Sequence, residues 1–113
     1  MAALYHITTA RQAGIARDDE QYASASFDVE GFIHCSYAGQ LTRVANRLFR
    51  GQQDLVLLEI DPSLVPHDIV EENLEGGREL FPHIYGRLPM SAVVGVHEFP
   101  CGEDGRFDLP EGI

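Results

Sequence analysis

Three stretches place a histidine two positions before a hydroxyl-bearing side chain. "LYHITT" pairs His6 with Thr8, "EGFIHCS" pairs His34 with Ser36, and "LFPHIYG" pairs His83 with Tyr85. Each stretch is otherwise apolar enough to read as a strand, and a strand sends every second side chain to the same face. Extended, each imidazole shares a face with its hydroxyl, while Ile7, Ile33, Cys35 and Ile84 turn the other way. A buried imidazole needs partners for both ring nitrogens, so three on apolar faces are costly unless they line a common polar cleft. Such a cleft could orient ligand hydroxyls, grip a phosphate through a protonated ring, or move a proton.

Other chemistries fit these residues less well. Three histidines can hold Zn²⁺ with one position open to water. Dedicated metal sites often carry HxH or HExxH pairs, however, and neither occurs, so no metal is expected. Cys35 adjoins His34, but neighbours on a strand point to opposite faces, which leaves Cys35 as a small core residue. His67 and His97 have no hydroxyl two positions on and read as structural. Of the adjacent carboxylates Glu71 and Glu72, only one can face the cleft if the segment is extended, and Glu72 is the candidate. Neither GxGxxG nor GxxxxGK[ST] is present, so the usual phosphate loops are absent.

The elements that must position these groups follow from pattern. "ALYHI" predicts a first strand, with Thr8 or Thr9 capping a helix over "ARQAGIAR". "GFIHCS" predicts a second strand, after which Ser36 can cap a helix whose Leu41, Val44, Ala45, Leu48 and Phe49 recur at helical spacing. Leu48 lies mid-stripe and is expected in the core. Arg43, Arg47 and Arg50 fall on the opposite side, a solvated face that could also meet a phosphate. "DLVLLEID" is apolar on both faces, as a central strand would be, and Pro62 ends it. "HDIVEEN", "LFPHIYG" and "SAVVGVHEF" supply further extended segments, with a turn at "EGGRE". The end of the chain, 100–113, holds little apolar material and reads as a loosely held tail.

With helices early and strands late, the pattern predicts a single α+β domain over 1–113, built on a mixed or antiparallel sheet with two helices in its N-terminal half. The 44% hydrophobic content argues against disorder, and no apolar run approaches the ~20 residues that would span a bilayer. The first residues lack a basic segment followed by an apolar core, so a cytoplasmic protein with two free thiols is expected. A net charge of −10 opposes general nucleic-acid binding, which rests on neutralising phosphates. It leaves room for a small anionic ligand, because a few local donors can outweigh a screened field.

Taken in order, "YHITT", "EGFIHCS", "VANRLF", "LVLLEID", "FPHIYGRLP" and "AVVGV" resemble the DUF952 family of small bacterial proteins over nearly all of residues 4 to 98. The resemblance implies a more distant likeness to the ADP-ribosyltransferase fold, a split sandwich, and to its RNA 2'-phosphotransferase branch. On that likeness His6 matches a first-strand residue that hydrogen-bonds a ribose hydroxyl, with Thr8 beside it. His34 and Ser36 match the second-strand motif, and His83 with Tyr85 lines the remaining wall, where Tyr85 can stack on a base. The implied ligand is NAD, as substrate, or an ADP-ribose or 2'-phosphate group, with His34, His83 and Glu72 as the catalytic candidates. "FPHIYG" lacks the late-strand glutamate that many such transferases use, so the alternative is a domain that binds a nucleotide or other small ligand without turnover.

Overall fold

The computed structural model describes residues 2–73 and 77–113. In chain order the elements are β1 (Leu4–Thr9), α1 (Ala10–Asp19), β2 (Gln21–Tyr22), α2 (Phe27–Glu30), β3 (Ile33–His34), α3 (Leu41–Leu48), β4 (Leu55–Ile60), β5 (Ile69–Glu72), β6 (Phe81–Ile84), β7 (Leu88–Pro89) and β8 (Val93–Glu98). They form an α+β domain in which every strand pair is antiparallel. One sheet runs β1-β4-β8, a second β3-β6-β5, and β2 pairs with β7. Among the described residues, no helix is long and apolar enough to cross a membrane.

The first sheet has an apolar core on each face because β4 is central and apolar on both sides. Val56, Leu58 and Ile60 pack with Leu4, with Ala13 and Ala16 of α1, and with Ile33 and Ile84 of the second sheet. Leu55 and Leu57 pack instead with Tyr5, with Leu41 and Ala45 of α3, and with Phe99 and Phe107. Besides this packing, one backbone bridge joins the two sheets. Tyr5 and Ser36 exchange two backbone hydrogen bonds of 2.8 Å, and no other bridge outside the named strands occurs among the described residues.

Local signals account for most of these elements. Thr9 caps α1, its hydroxyl oxygen accepting from the Gln12 N–H at 3.1 Å. Ser36, expected to cap the second helix, pairs its backbone with Tyr5 and lies short of the helix. A short 3-10 turn, Ala38–Gln40, leads into α3 instead, and the Gln40 side-chain oxygen accepts from the Tyr37 N–H.

Two further expectations are corrected. Leu48 is 55% exposed, whereas Leu41 is fully buried. The core covers Leu41 and Ala45, and α3 ends at Leu48, so its last turn projects past the core. The segment 100–113 has no regular structure but is not loose. Phe107 is 2% exposed, and its backbone N–H and C=O bond the two ends of the Asn46 side-chain amide. One aromatic anchor and a matched amide replace the apolar bulk that the segment lacks. The turn expected at "EGGRE" lies partly at 74–76, outside the described residues.

Candidate functional site

Two of the three histidines face each other across the second sheet. The register pairs His34 of β3 directly with His83 of β6, and their rings meet edge to face at 4.9 Å. Phe32, just before β3, braces both. Its ring stacks on His83 at 4.5 Å and 21°, and meets the edge of His34 at 4.8 Å. Alternation turns Ile33, Cys35 and Ile84 into the core behind them, as their spacing implied.

β5 pairs with β6 so that Glu72 lies opposite Phe81, one diagonal step from His83. From there its carboxylate accepts from His83 Nδ1 at 2.9 Å and from the Tyr85 hydroxyl. Those two donors, Tyr85 first, hold the Glu72 carboxyl below its ordinary range. The His83 side chain is 4% exposed, and its Nε2 has no protein partner among the described residues. A neutral imidazole that donates from Nδ1 is an acceptor at Nε2. The carboxylate therefore fixes the tautomer that presents a basic nitrogen.

His6 comes to the same place from the first sheet, but as part of the frame. Its Nδ1 donates to the His34 carbonyl at 2.5 Å, and its Nε2 lies 2.8 Å from the Tyr22 hydroxyl. Burial pushes the imidazole down from 6.5 to about 4, although the carbonyl bond acts the other way. The neutral ring then accepts the Tyr22 proton, and Thr8, whose oxygen is 3.0 Å from that of Tyr22, donates to it. Both His6 nitrogens are thus used internally, which leaves neither for a ribose hydroxyl.

A cavity of about 430 Å³ opens between β1, the segment around β3, β6 and α3. Its polar side carries His6, His34, His83, Ser36 and Glu72, and its apolar side Ile7, Val44, Leu48, Phe49 and Phe81. That size and mixture suit a small-molecule site. The expected convergence of three histidines, Ser36 and Glu72 is present. Thr8 and Tyr85 are not on the cavity wall: Thr8 sits behind His6 through Tyr22, and Tyr85 holds Glu72 from outside. His34 keeps one nitrogen on Glu30, the last residue of α2, at 3.0 Å. His67 and His97 lie elsewhere, the first packed over Gly86 where no Cβ would fit, the second bonded to Glu59 at 2.6 Å. No cluster of metal-ligating groups occurs among the described residues.

Pattern reading missed Tyr22, Ser24 and the apolar wall from α3. The Ser24 hydroxyl is a buried polar group with no partner, and it too borders the cavity. Nothing in the polar run around Tyr22 and Ser24 is periodic, so only the tertiary fold assigns them. Cys35 is buried, and desolvation drives its thiol far upward, away from nucleophile chemistry.

The sequence profile of the family described as "Protein of unknown function (DUF952)" matches residues 7–96, a span that includes His34 and His83 and begins one residue after His6. The chain belongs to the DUF952 family. Solved structures agree with it. The DUF952 chain is 31% identical to protein CC0527 from Caulobacter crescentus, whose crystal structure superposes with a TM-score of 0.85 over 96% of this chain and 95% of that one. The solution NMR structure of the same Caulobacter protein gives 0.85 over 100% and 97%. No curated protein matches the sequence.

Proposed function

We propose that this DUF952 domain is an enzyme acting on a nucleotide-like small molecule, with chemistry at a ribose as in ADP-ribosyl transfer. The split-sandwich likeness belongs to the same reading. NAD, or an ADP-ribose or 2'-phosphate group, is the substrate class. One observation carries it: His83 is buried, held at Nδ1 by Glu72, and unpartnered at Nε2 on the wall of a cavity of ligand size. That arrangement suits a general base. With NAD, the bond from nicotinamide to the ribose C1' breaks and nicotinamide leaves with the bonding pair. A water or acceptor hydroxyl then attacks the oxocarbenium-like C1' and gives its proton to His83 Nε2. Glu72 keeps the ring aligned and favours the charge that appears on it. Phe81, Val44 and Leu48 offer a flat apolar wall for a base, and Ser36, Ser24 and His34 offer polar contacts to the sugar.

A second reading, binding without turnover, is favoured by one detail. One Glu72 oxygen, Oε1, already accepts from both Tyr85 and His83, so that oxygen serves to hold the wall and not to meet a substrate. Titration of NAD, ADP-ribose and a 2'-phosphorylated nucleotide, followed by backbone amide NMR, tests the site itself: amides of 32–36 and of Phe81, His83 and Ile84 should shift together. Glu72→Gln then divides the readings. In an enzyme it leaves affinity nearly intact and slows NAD cleavage on the order of a hundredfold, whereas a binding domain has no cleavage to lose. Absence of shifts with all three ligands would overturn both.

A further inference from the structure

Beside the histidine-lined cavity lies a second hollow of about 350 Å³. Val44, Arg47, Asn73 and Phe81 border both, so the two form one continuous groove. Arg43, Gly77, Arg78 and Glu79 complete the second. The chain has no lysine, and three of its eight arginines therefore surround one hollow in a protein of net charge −10.

The one carboxylate among these lining residues offsets one of the three charges. Glu79 is held by Arg43, whose Nη1 and Nη2 each donate at 2.7 Å to a different carboxylate oxygen, and by the Gln40 amide at 3.0 Å. One guanidinium is thus matched and fixed by one carboxylate. Arg78 makes no ion pair among the described residues. Guanidinium forks match phosphate oxygens in shape and charge and can bind them through two parallel hydrogen bonds.

The geometry points to the second hollow as a phosphate subsite, which holds the phosphate groups of a ligand whose base and ribose occupy the first. The identity of that base and ribose rests on the nucleotide reading above; the anion subsite itself does not. The ligand is a small phosphorylated molecule, since the net charge of the chain opposes a nucleic-acid polyanion.

Three probes test this on the full chain by amide NMR: inorganic pyrophosphate, adenosine and ADP-ribose. Pyrophosphate should shift the amides of Arg43, Val44, Gly77 and Arg78. Arg78→Gln should weaken pyrophosphate and ADP-ribose by roughly tenfold, the scale of one charge-assisted hydrogen bond, and leave adenosine unchanged. Arg11→Gln, on exposed α1 outside both cavities, should change none of the three. If pyrophosphate leaves those amides unmoved, or if Arg78→Gln and Arg11→Gln behave alike, the subsite is refuted. Pyrophosphate binding without any adenosine shift at 32–36 would refute the nucleotide reading and uphold the anion subsite. Adenosine binding without pyrophosphate binding would do the reverse.

Discussion

Acid should destabilise this protein through His6 before its carboxylates matter. The ring is neutral between the His34 carbonyl and the Tyr22 hydroxyl. A proton on Nε2 would meet the Tyr22 oxygen only after the hydroxyl turned away, and would place a charge in the core. Burial lowers the imidazole from 6.5 to about 4. Its folded value lies below its unfolded one, so between the two the unfolded chain binds more protons. The contribution is complete above pH 6.5 and is lost as pH falls toward 4. A gap of this size corresponds to about 3 kcal/mol in all, most of which is gone by pH 4.5. The assay is urea unfolding at pH 7.5 and pH 4.5 for the wild type and His6→Gln. The variant has its own fixed cost, but only the wild type carries this titration, so it should lose about 2 to 3 kcal/mol more across the interval. Glu30, Glu72 and Glu79, all held below their ordinary range, also weaken the fold as pH falls, but in both proteins alike. Parallel stability curves for the two proteins would refute the neutral clamp.

Chemical denaturation should separate the two leucines of α3: Leu41→Ala should cost about 2 to 5 kcal/mol and Leu48→Ala under about 1. Equal losses would mean that the helix is rotated from the orientation described. Phe107→Ala should cost about 3 kcal/mol and Asn46→Ala about 1 to 2, read as lowered thermal midpoints. If neither moves the midpoint, the C-terminal segment is not part of the fold.

The histidine pairs were legible because alternation depends on local backbone alone. Once 33–34 and 81–84 are extended, Ile33 and Ile84 must enter the core and His34 and His83 must share the other side. What alternation does not encode is which strand lies alongside. Tyr22, on a strand of two residues, enters between His6 and Thr8, and that insertion separates Thr8 from the cavity. Tyr85 follows His83 by two positions, yet its hydroxyl is drawn to Glu72 from outside. Leu48 shows a similar limit in the helix: an apolar stripe marks surface that avoids water, and a core and a ligand cavity both qualify. Phe107 stands alone between Arg106 and Asp108, so no period could flag it.

The bond that joins His6 to β3 ends on the main-chain oxygen of residue 34, not on its side chain. Every amino acid carries that oxygen. The ring at 34 can therefore be exchanged while the clamp behind it stays whole, whereas position 6 has no such freedom. One wall of the cavity is thereby anchored and the other is open to variation, so a change of ligand preference by substitution at 34 need not disturb the join between the sheets.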